Sequence, residues 1–296
     1  MKIEYVKRGA ATRLILIFAG WSTDIRYYRG CVAEGWDTAV VYDYSDMRMP
    51  DVPKRYTTVY LFAYSLGVWA AERSGIEATV RIAVFGTPDP VSDRYGIPVA
   101  IFRGTADALD RKSLAKFHLR MAGDKETYSR LAVTLPPQPD TEHLRQELLA
   151  IAAAAGERHA GGVRWHRAYL SKADRIFPFR NQADYWNEHP ETESIILDAP
   201  HAADMAAITS HCIPATSDIG KGFAKASSTY RDNAIVQSEI CRRAGEIIDS
   251  IFDGTDRHVG HLLEIGPGEG MLTEQWSGRL AADCATYIDL YDMPEY

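Results

Sequence analysis

Short runs of consecutive apolar residues, bounded by glycine and proline, recur along the first two hundred residues of the chain. Continuous rather than alternating hydrophobicity is typical of strands that are buried on both faces of a parallel sheet. The pattern therefore predicts an α/β protein. The predicted strands are Leu14–Phe18, Thr38–Tyr42, Val59–Ala63, Arg81–Phe85, Val99–Phe102, Trp165–Leu170 and Ser194–Leu197.

The segment between the fifth and sixth of these runs, about residues 109–162, has helical spacing instead. Its apolar residues recur three or four positions apart, first at Leu114, Phe117 and Met121 and again at Leu144 and Leu148. The segment is long for ordinary crossover helices. We predict a helical lid over the carboxyl edge of the sheet, with a pair of crossover helices as the alternative.

The chain changes character after Thr216. Residues 217–252 have a helical pattern rich in charges, and residues 261–270 have the pattern of a strand, a glycine loop and the start of a helix. A further strand is predicted at Thr286–Leu290. We therefore expect a boundary near 214–220, between a domain of residues 1–213 and a second segment of residues 217–296.

One serine stands at a predicted strand-to-helix corner. Thr57 to Ala71 form a β-branched and aromatic run that passes through Tyr64-Ser65-Leu66-Gly67 into a helix. This is the nucleophile-elbow pattern with Ala63 in place of the first glycine, and it would expose the Ser65 hydroxyl at the carboxyl edge of the sheet. The alternative is a buried serine that merely starts a helix.

A serine nucleophile needs a base, and the base needs a group that orients it. Asp174 follows the predicted strand Trp165–Leu170, and His201 follows the last strand of the first domain, in the chain order Ser, Asp, His. Asp107 is the rival acid and His211 the rival base.

The oxyanion formed by nucleophilic attack needs two N–H donors. We predict the backbone N–H groups of Leu66, the residue after the nucleophile, and of Trp21, in the loop after the first strand. The Trp21 side chain is expected either to form a wall of an acyl pocket or to lie in the core.

Composition excludes several classes of function. The net charge of −7 disfavours a general nucleic-acid binder, which needs a basic face. The four cysteines lie far apart without metal-type spacing, so we expect reduced thiols and no metal site. The first apolar run is too short for a signal peptide, and no segment is long enough to cross a membrane, so a cytoplasmic protein is expected.

Residues 1–213 resemble the BioG-type pimeloyl-[acyl-carrier-protein] methyl ester esterases of biotin synthesis. The resemblance implies an α/β-hydrolase fold with a small helical lid and hydrolysis of the methyl ester of pimeloyl-acyl carrier protein without a cofactor. It also implies Ser65 as nucleophile, His201 as general base and Asp174 as its orienting group. The matching motifs are Phe18-Ala19-Gly20-Trp21, Phe62-Ala63-Tyr64-Ser65-Leu66-Gly67-Val68, Gly96-Ile97-Pro98 with Gly104-Thr105, Lys116-Phe117 with Arg120-Met121, Asp174 with Phe177-Pro178, Asn181-Gln182 and Tyr185-Trp186, and Pro200-His201.

The resemblance also implies an acidic carrier protein as partner, which needs a basic docking surface. Residues 111–130 contain six Lys or Arg and two Asp or Glu, although the chain as a whole is acidic. Opposite local charge steers association. We expect Arg111, Lys116, Arg120 and Arg130 to contact the carrier protein, with an ordinary solvated helix face as the alternative.

The second segment resembles the start of BioC-type malonyl-[acyl-carrier-protein] O-methyltransferases. The motif Leu263-Glu264-Ile265-Gly266-Pro267-Gly268-Glu269-Gly270 is similar to the first S-adenosylmethionine-binding motif of such enzymes. The resemblance implies cofactor contacts by Glu264, Gly266, Gly268, Gly270 and Asp289.

This second likeness covers only the first third of a methyltransferase, which needs further strands to close its cofactor cleft. We therefore expect no methyl transfer and weak or absent S-adenosylmethionine binding. Two alternatives to the esterase remain: a carrier-protein methyltransferase with a hydrolase docking module, and a broader carboxylesterase.

Overall fold

A computed structural model describes residues 1–49, 51–156, 163–213, 235–265 and 270–288. The chain divides into two units, Met1–Pro214 and Ala215–Tyr296.

A seven-stranded sheet forms the centre of the first unit. Its order is β1-β3-β2-β4-β5-β6-β7; β1 is antiparallel to β3, and every other neighbouring pair is parallel. Leu14 to Phe18 are fully buried, as a continuous apolar run in a central parallel strand requires. The strands are β1 Lys2–Lys7, β2 Arg13–Phe18, β3 Asp37–Tyr42, β4 Thr58–Tyr64, β5 Val80–Val84, β6 Arg167–Ser171 and β7 Glu193–Leu197.

The chain order of the strands creates a natural place for a site. From β2 the chain runs to β3 on one side and then returns to β4 on the other side of β2. Loops that leave two such neighbouring strands in opposite directions open a crevice at the carboxyl edge of the sheet. This architecture confirms the predicted α/β-hydrolase fold.

Seven helices in the described part of the first unit connect or follow these strands. Helix α1 follows β4, α2 to α5 lie between β5 and β6, α6 joins β6 to β7, and α7 follows β7. Their bounds are α1 Gly67–Arg73, α2 Val99–Asp107, α3 Arg111–Ala122, α4 Lys125–Ala132, α5 Thr141–Ala155, α6 Phe179–Asn187 and α7 Met205–Cys212.

The predicted strand Val99–Phe102 is wrong, because these residues begin helix α2. Strand β5 pairs directly with β6 through Ile82 and Arg167, so the sheet has no place for a strand between them. A four-residue apolar run has no period that separates a strand from a helix turn. The helical insertion, which we call the lid (α2 to α5, residues 99–155), therefore starts earlier than the predicted residue 109.

Three aspartates define where the later lid helices begin. Asp110, Asp124 and Asp140 are the N-cap residues of α3, α4 and α5, and each side chain accepts a hydrogen bond from a backbone N–H of the first turn. Such caps satisfy amide groups that have no partner within the helix.

The described part of the second unit has two parallel strands, β8 His258–Ile265 and β9 Ala281–Ile288. Helix Ile235–Ile251 precedes β8, and helix Met271–Ser277 connects the two strands. No helix among the described residues of the chain has the length and hydrophobicity needed to span a membrane.

Candidate active site

The backbone at Ser65 has the strained geometry of a nucleophile elbow. Ser65 directly follows β4 and has a φ of 55°, a left-handed conformation that costs a non-glycine residue about 1–2 kcal/mol. Two glycines make room for the sharp turn. A Cβ at Gly67 would lie 2.3 Å from the Phe18 carbonyl oxygen, and a Cβ at Gly86 would lie 2.4 Å from that of Ser65.

Three side chains from different strand ends meet at this elbow. His201 Nε2 lies 3.0 Å from Ser65 Oγ, and His201 Nδ1 lies 2.6 Å from Asp174 Oδ2. The three groups are buried, since Ser65 and His201 are 5% and 2% exposed and the Asp174 side chain is fully covered. The carboxylate can accept a hydrogen bond from the Nδ1–H group, which leaves the unprotonated Nε2 free to accept a proton from the serine.

The Asp174 carboxylate is fixed by further hydrogen bonds. Its Oδ1 accepts from the backbone N–H groups of Ile176 and Phe177, both at 2.8 Å. Its Oδ2 accepts from Gln182 Nε2 at 3.1 Å, and Gln182 is itself fully buried. The carboxylate is therefore held in one orientation toward His201 by its own loop and by helix α6.

The loop that carries His201 is held by two tyrosines. Tyr64, the residue before the serine, donates its hydroxyl to the His201 carbonyl oxygen at 2.7 Å. Tyr27 stacks on Tyr64 and donates to the Ala203 carbonyl oxygen at 2.7 Å. These roles and that of Gln182 did not follow from the sequence; for Tyr64, the position beside Ser65 was the available signal.

The rival residues lie elsewhere. Asp107 is the last residue of helix α2 and does not follow a strand, so its predicted placement is wrong. His211 is an exposed residue of helix α7. No hydrogen bond joins either of them to Ser65 in the described part of the chain.

Both predicted oxyanion donors border the same space as Ser65. Trp21 lies in the loop after β2, and Leu66 precedes helix α1. Trp21 is buried, and its indole Nε1 donates to the Leu144 carbonyl oxygen of α5 at 3.1 Å. Its ring also meets Phe117 of α3 edge to face at 5.0 Å, so the side chain lies between the loop after β2 and the lid.

A cavity opens above Ser65 and His201. Its walls are mainly apolar and come from both the sheet edge and the lid, which is typical of a site for an apolar acyl chain. Two cations, Arg120 and Arg175, line it as well. The apolar lining residues are Trp21, Leu66, Ile97, Ile101, Phe102, Phe117, Met121, Leu148 and Ile176.

The predicted basic surface lies on lid helices α3 and α4. Arg111, Lys116, Arg120 and Arg130 are exposed, and none of them forms an ion pair with another described residue. Arg175, which sequence reasoning missed, adds a cation from the loop of Asp174, and its guanidinium donates to the Gly123 carbonyl oxygen at 3.4 Å.

The predicted cofactor residues of the second unit are only partly described. Glu264 is buried, and its Oε2 accepts from Thr273 Oγ1 at 2.9 Å and from Trp276 Nε1 at 2.7 Å. Its Oε1 is buried without a partner among the described residues. Gly270 has a φ of 75°. The other three predicted residues, Gly266, Gly268 and Asp289, lie outside the described residues.

Known proteins share the sequence pattern and the fold of this chain. The family model of the pimeloyl-ACP methyl esterase BioG matches residues 1–202. The solved structure of BioG from Haemophilus influenzae is 33% identical with a TM-score of 0.64, and the match covers 69% of this chain and 94% of that one. A lipase-esterase related protein from Clostridium acetobutylicum shares the fold at 11% identity and a TM-score of 0.50, over 71% of this chain and 97% of that one.

A malonyl-[acyl-carrier protein] O-methyltransferase from Bacteroides fragilis is 31% identical over 264 residues. The match covers 86% of this chain, so it extends beyond the first unit, but the chain spans only 53% of that relative. The family match, by contrast, covers most of the first unit, and the BioG structure is matched over nearly its whole length. The chain therefore belongs to the BioG family of pimeloyl-ACP methyl esterases and is an ester hydrolase with the α/β-hydrolase fold.

Proposed function

We propose that the first unit hydrolyses the methyl ester of pimeloyl-acyl carrier protein through a covalent acyl-enzyme. One observation carries the proposal. The hydrogen-bonded series Ser65–His201–Asp174 opens into a mainly apolar cavity in a chain of the BioG family.

In the first half of the reaction, Ser65 Oγ attacks the ester carbonyl carbon and His201 Nε2 takes the hydroxyl proton. The tetrahedral intermediate collapses, the bond to the methoxy oxygen breaks, and His201 returns the proton to that oxygen so that methanol leaves. Asp174 stabilises the imidazolium that forms between these two proton transfers. Its fixed orientation supports this role.

The negative oxygen of the intermediate is bound by the backbone N–H groups of Trp21 and Leu66. These donors belong to a loop and a helix start that are already ordered, so little reorganisation accompanies the reaction. In the second half, water attacks the acyl-enzyme with His201 as base. The pimeloyl carboxylate is then released with Ser65 regenerated.

The cavity and its rim fit the two parts of such a substrate. The apolar walls suit the methylene chain of the pimeloyl group. The exposed cations of α3 and α4 suit the surface of an acidic carrier protein, and Arg120 links the two because it is exposed on α3 and also lines the cavity.

The test is hydrolysis of pimeloyl-acyl carrier protein methyl ester by the chain and by Ser65→Ala. The variant should lose at least 10³-fold in rate, since the nucleophile is absent. Ser74→Ala is the matched control, because Ser74 caps the opposite end of the same helix α1, and it should retain full activity. Substantial hydrolysis by Ser65→Ala would reject the proposed nucleophile.

Carrier recognition is tested separately by charge reversal. Arg111→Glu with Arg130→Glu should raise KM for the carrier-linked ester several-fold and leave hydrolysis of a small p-nitrophenyl ester almost unchanged, since neither residue lines the cavity. Equal loss with both substrates would argue against docking. No loss with either would favour a broader carboxylesterase.

The match to the methyltransferase supports a second proposal, for residues 215–296. S-adenosylmethionine, which supplies a methyl group when bound, would be held by Glu264, by Gly270 and by the three predicted residues outside the described part. Glu264 Oε1, which has no partner among the described residues, could accept a hydrogen bond from a ligand. Calorimetric titration with S-adenosylmethionine should give weak binding that Glu264→Gln reduces further. A gain of one methyl on malonyl-acyl carrier protein would establish the methyltransferase alternative.

A further inference from the structure

Ser22, the residue after Trp21, has a strained backbone in the loop of residues 20–23 after β2, which we call the oxyanion loop because it carries the proposed donor Trp21. Its φ is 64°, in the left-handed region that favours glycine, and the residue is buried. A non-glycine residue keeps such a conformation only when surrounding contacts impose it, and such strain is concentrated at functional sites. The contacts that impose it at Ser22 therefore bear on the position of the neighbouring Trp21 amide.

The hydroxyl of Ser22 is hydrogen-bonded to a histidine of the lid. Ser22 Oγ lies 3.0 Å from His118 Nε2, although the two residues are 96 positions apart. His118 is buried on helix α3, and burial lowers its pKa to about 4, so its imidazole is neutral near pH 7. A buried imidazole needs a hydrogen-bond partner, and the Ser22 hydroxyl provides one.

This pair is not a second nucleophile and base. Among the described residues that line the cavity are the neighbours Trp21 and Phe117, but neither Ser22 nor His118. A substrate that occupies the cavity therefore does not reach the Ser22 hydroxyl. The hydrogen bond therefore affects the position of the protein's own groups and does not contact the substrate.

Helix α3 contacts the oxyanion loop and the loop that carries His201. Phe117 packs against Trp21, His118 binds Ser22, and the Met121 carbonyl oxygen accepts from the Ala202 N–H at 2.8 Å. One rigid helix thus connects the predicted oxyanion donor with the loop of the predicted base. The way in which α3 packs can therefore determine the position of the predicted oxyanion donor relative to the predicted base.

We propose that His118 is a positioning residue that, from the lid, fixes the oxyanion loop through Ser22. The hydrogen bond holds the turn at Ser22 and thereby the direction of the Trp21 N–H. The Trp21 N–H is therefore correctly directed only when α3 packs against the loop, so the position of the lid helix affects catalysis. The inference rests on the proposed function, in which the Trp21 N–H is an oxyanion donor.

The experiment uses p-nitrophenyl acetate and the full chain, because this small ester needs the oxyanion hole but no carrier protein. His118→Leu fills the space of the ring but cannot form the hydrogen bond. It should lower kcat about tenfold and change KM less than twofold, because a displaced N–H donor loses part of the 10²–10³-fold contribution of an oxyanion contact. His118→Gln keeps a polar group near Ser22 and should recover most of kcat. Leu131→Ala, a buried change in α4, is the control for a lid that is merely loosened, and should lower stability without this kcat loss.

A double-mutant cycle keeps the test decisive if His118→Leu folds poorly. Ser22→Ala is a small change that should cause the same loss of kcat as His118→Leu, and the double variant should lose no more than either alone. Multiplicative losses, no advantage of Gln over Leu, or an equal kcat loss in Leu131→Ala would each overturn the inference. Failure of the proposed function is distinguishable, since it would appear as unchanged hydrolysis in Ser65→Ala.

Discussion

Glu147 provides a quantitative test of how the lid is fixed to the sheet. This carboxyl group lies on α5, is buried, and accepts a hydrogen bond from the Tyr44 N–H at 2.9 Å. Tyr44 in turn donates its hydroxyl to the Ala19 carbonyl oxygen, just before the oxyanion loop. Burial raises the pKa of Glu147 to about 7; the hydrogen bond from the Tyr44 N–H, His143 and Lys2 oppose the rise, and Asp43 adds to it.

The raised pKa has a stability consequence with a definite sign. In the unfolded chain the Glu147 pKa is 4.5, so between pH 4.5 and about 7 the folded state binds more protons and its stability falls as pH rises. The stabilisation by the neutral carboxyl is fully present below pH 4.5 and is lost once the pH exceeds about 7. At about 1.4 kcal/mol per pH unit, the difference is about 3 kcal/mol.

The perturbation is Glu147→Gln, which is neutral at every pH and keeps a carbonyl oxygen for the Tyr44 N–H. Relative to the parent chain, the free energy of unfolding should rise by about 3 kcal/mol more at pH 8 than at pH 4.5. Urea titration followed by tryptophan fluorescence measures it. Five of the six tryptophans lie in the first unit, so the signal reports mainly on that unit.

Glu142→Gln on the same helix is the matched control. Glu142 is exposed and paired with Arg145, which lowers its pKa to about 2, so its removal should act weakly and with the opposite pH dependence. If Glu147→Gln and the parent chain differ by the same amount at pH 4.5 and pH 8, Glu147 is not buried as an uncharged group and the reasoning is refuted.

Three further predictions concern the site and its surroundings. Asp174→Asn should lower kcat for p-nitrophenyl acetate by about 10⁴-fold with little change in KM, because the amide no longer imposes the required His201 tautomer; a loss below tenfold would contradict this role. Burial lowers the His118 pKa from 6.5 to about 4, so the stabilisation by the neutral imidazole is present above pH 6.5 and is lost as the pH falls toward 4. The melting temperature of His118→Gln should therefore fall less steeply than that of the parent chain between these pH values. Gly86→Ala should reduce kcat and thermal stability together, since its Cβ would press on the Ser65 carbonyl oxygen; an active, stable variant would show that the elbow has room to move.

The sequence predicted much of the fold because the relevant signals are local. Six of the apolar runs mark strands of the sheet within one or two residues of their ends. The exception is Val99–Phe102, where the local pattern fits a strand and a helix equally and only the direct pairing of β5 with β6 excludes the strand. Strand β1 was missed because Lys2–Lys7 is an edge strand with mixed polarity.

For the site, the chain order of Ser65, Asp174 and His201 was sufficient to name three residues that the fold brings together. Parallel strands end at one edge, so residues after successive strands converge there whatever the intervening sequence. The chain order did not predict the residues that hold these three side chains in place. Gln182 contacts Asp174 only because α6 packs back on its own loop, and Tyr64 reaches the His201 carbonyl only across the sheet edge.

The sequence by itself determined the α/β class, the elbow and the order of the proposed catalytic groups, since neighbours along the chain carry periodicity and turn signals. Only the tertiary structure decided how the lid lies on that edge. Ser22 with His118, Tyr44 with Glu147 and Trp21 with Leu144 are each about a hundred residues or more apart. Such contacts depend on how whole helices pack over the sheet, and no local pattern in the chain specifies that packing.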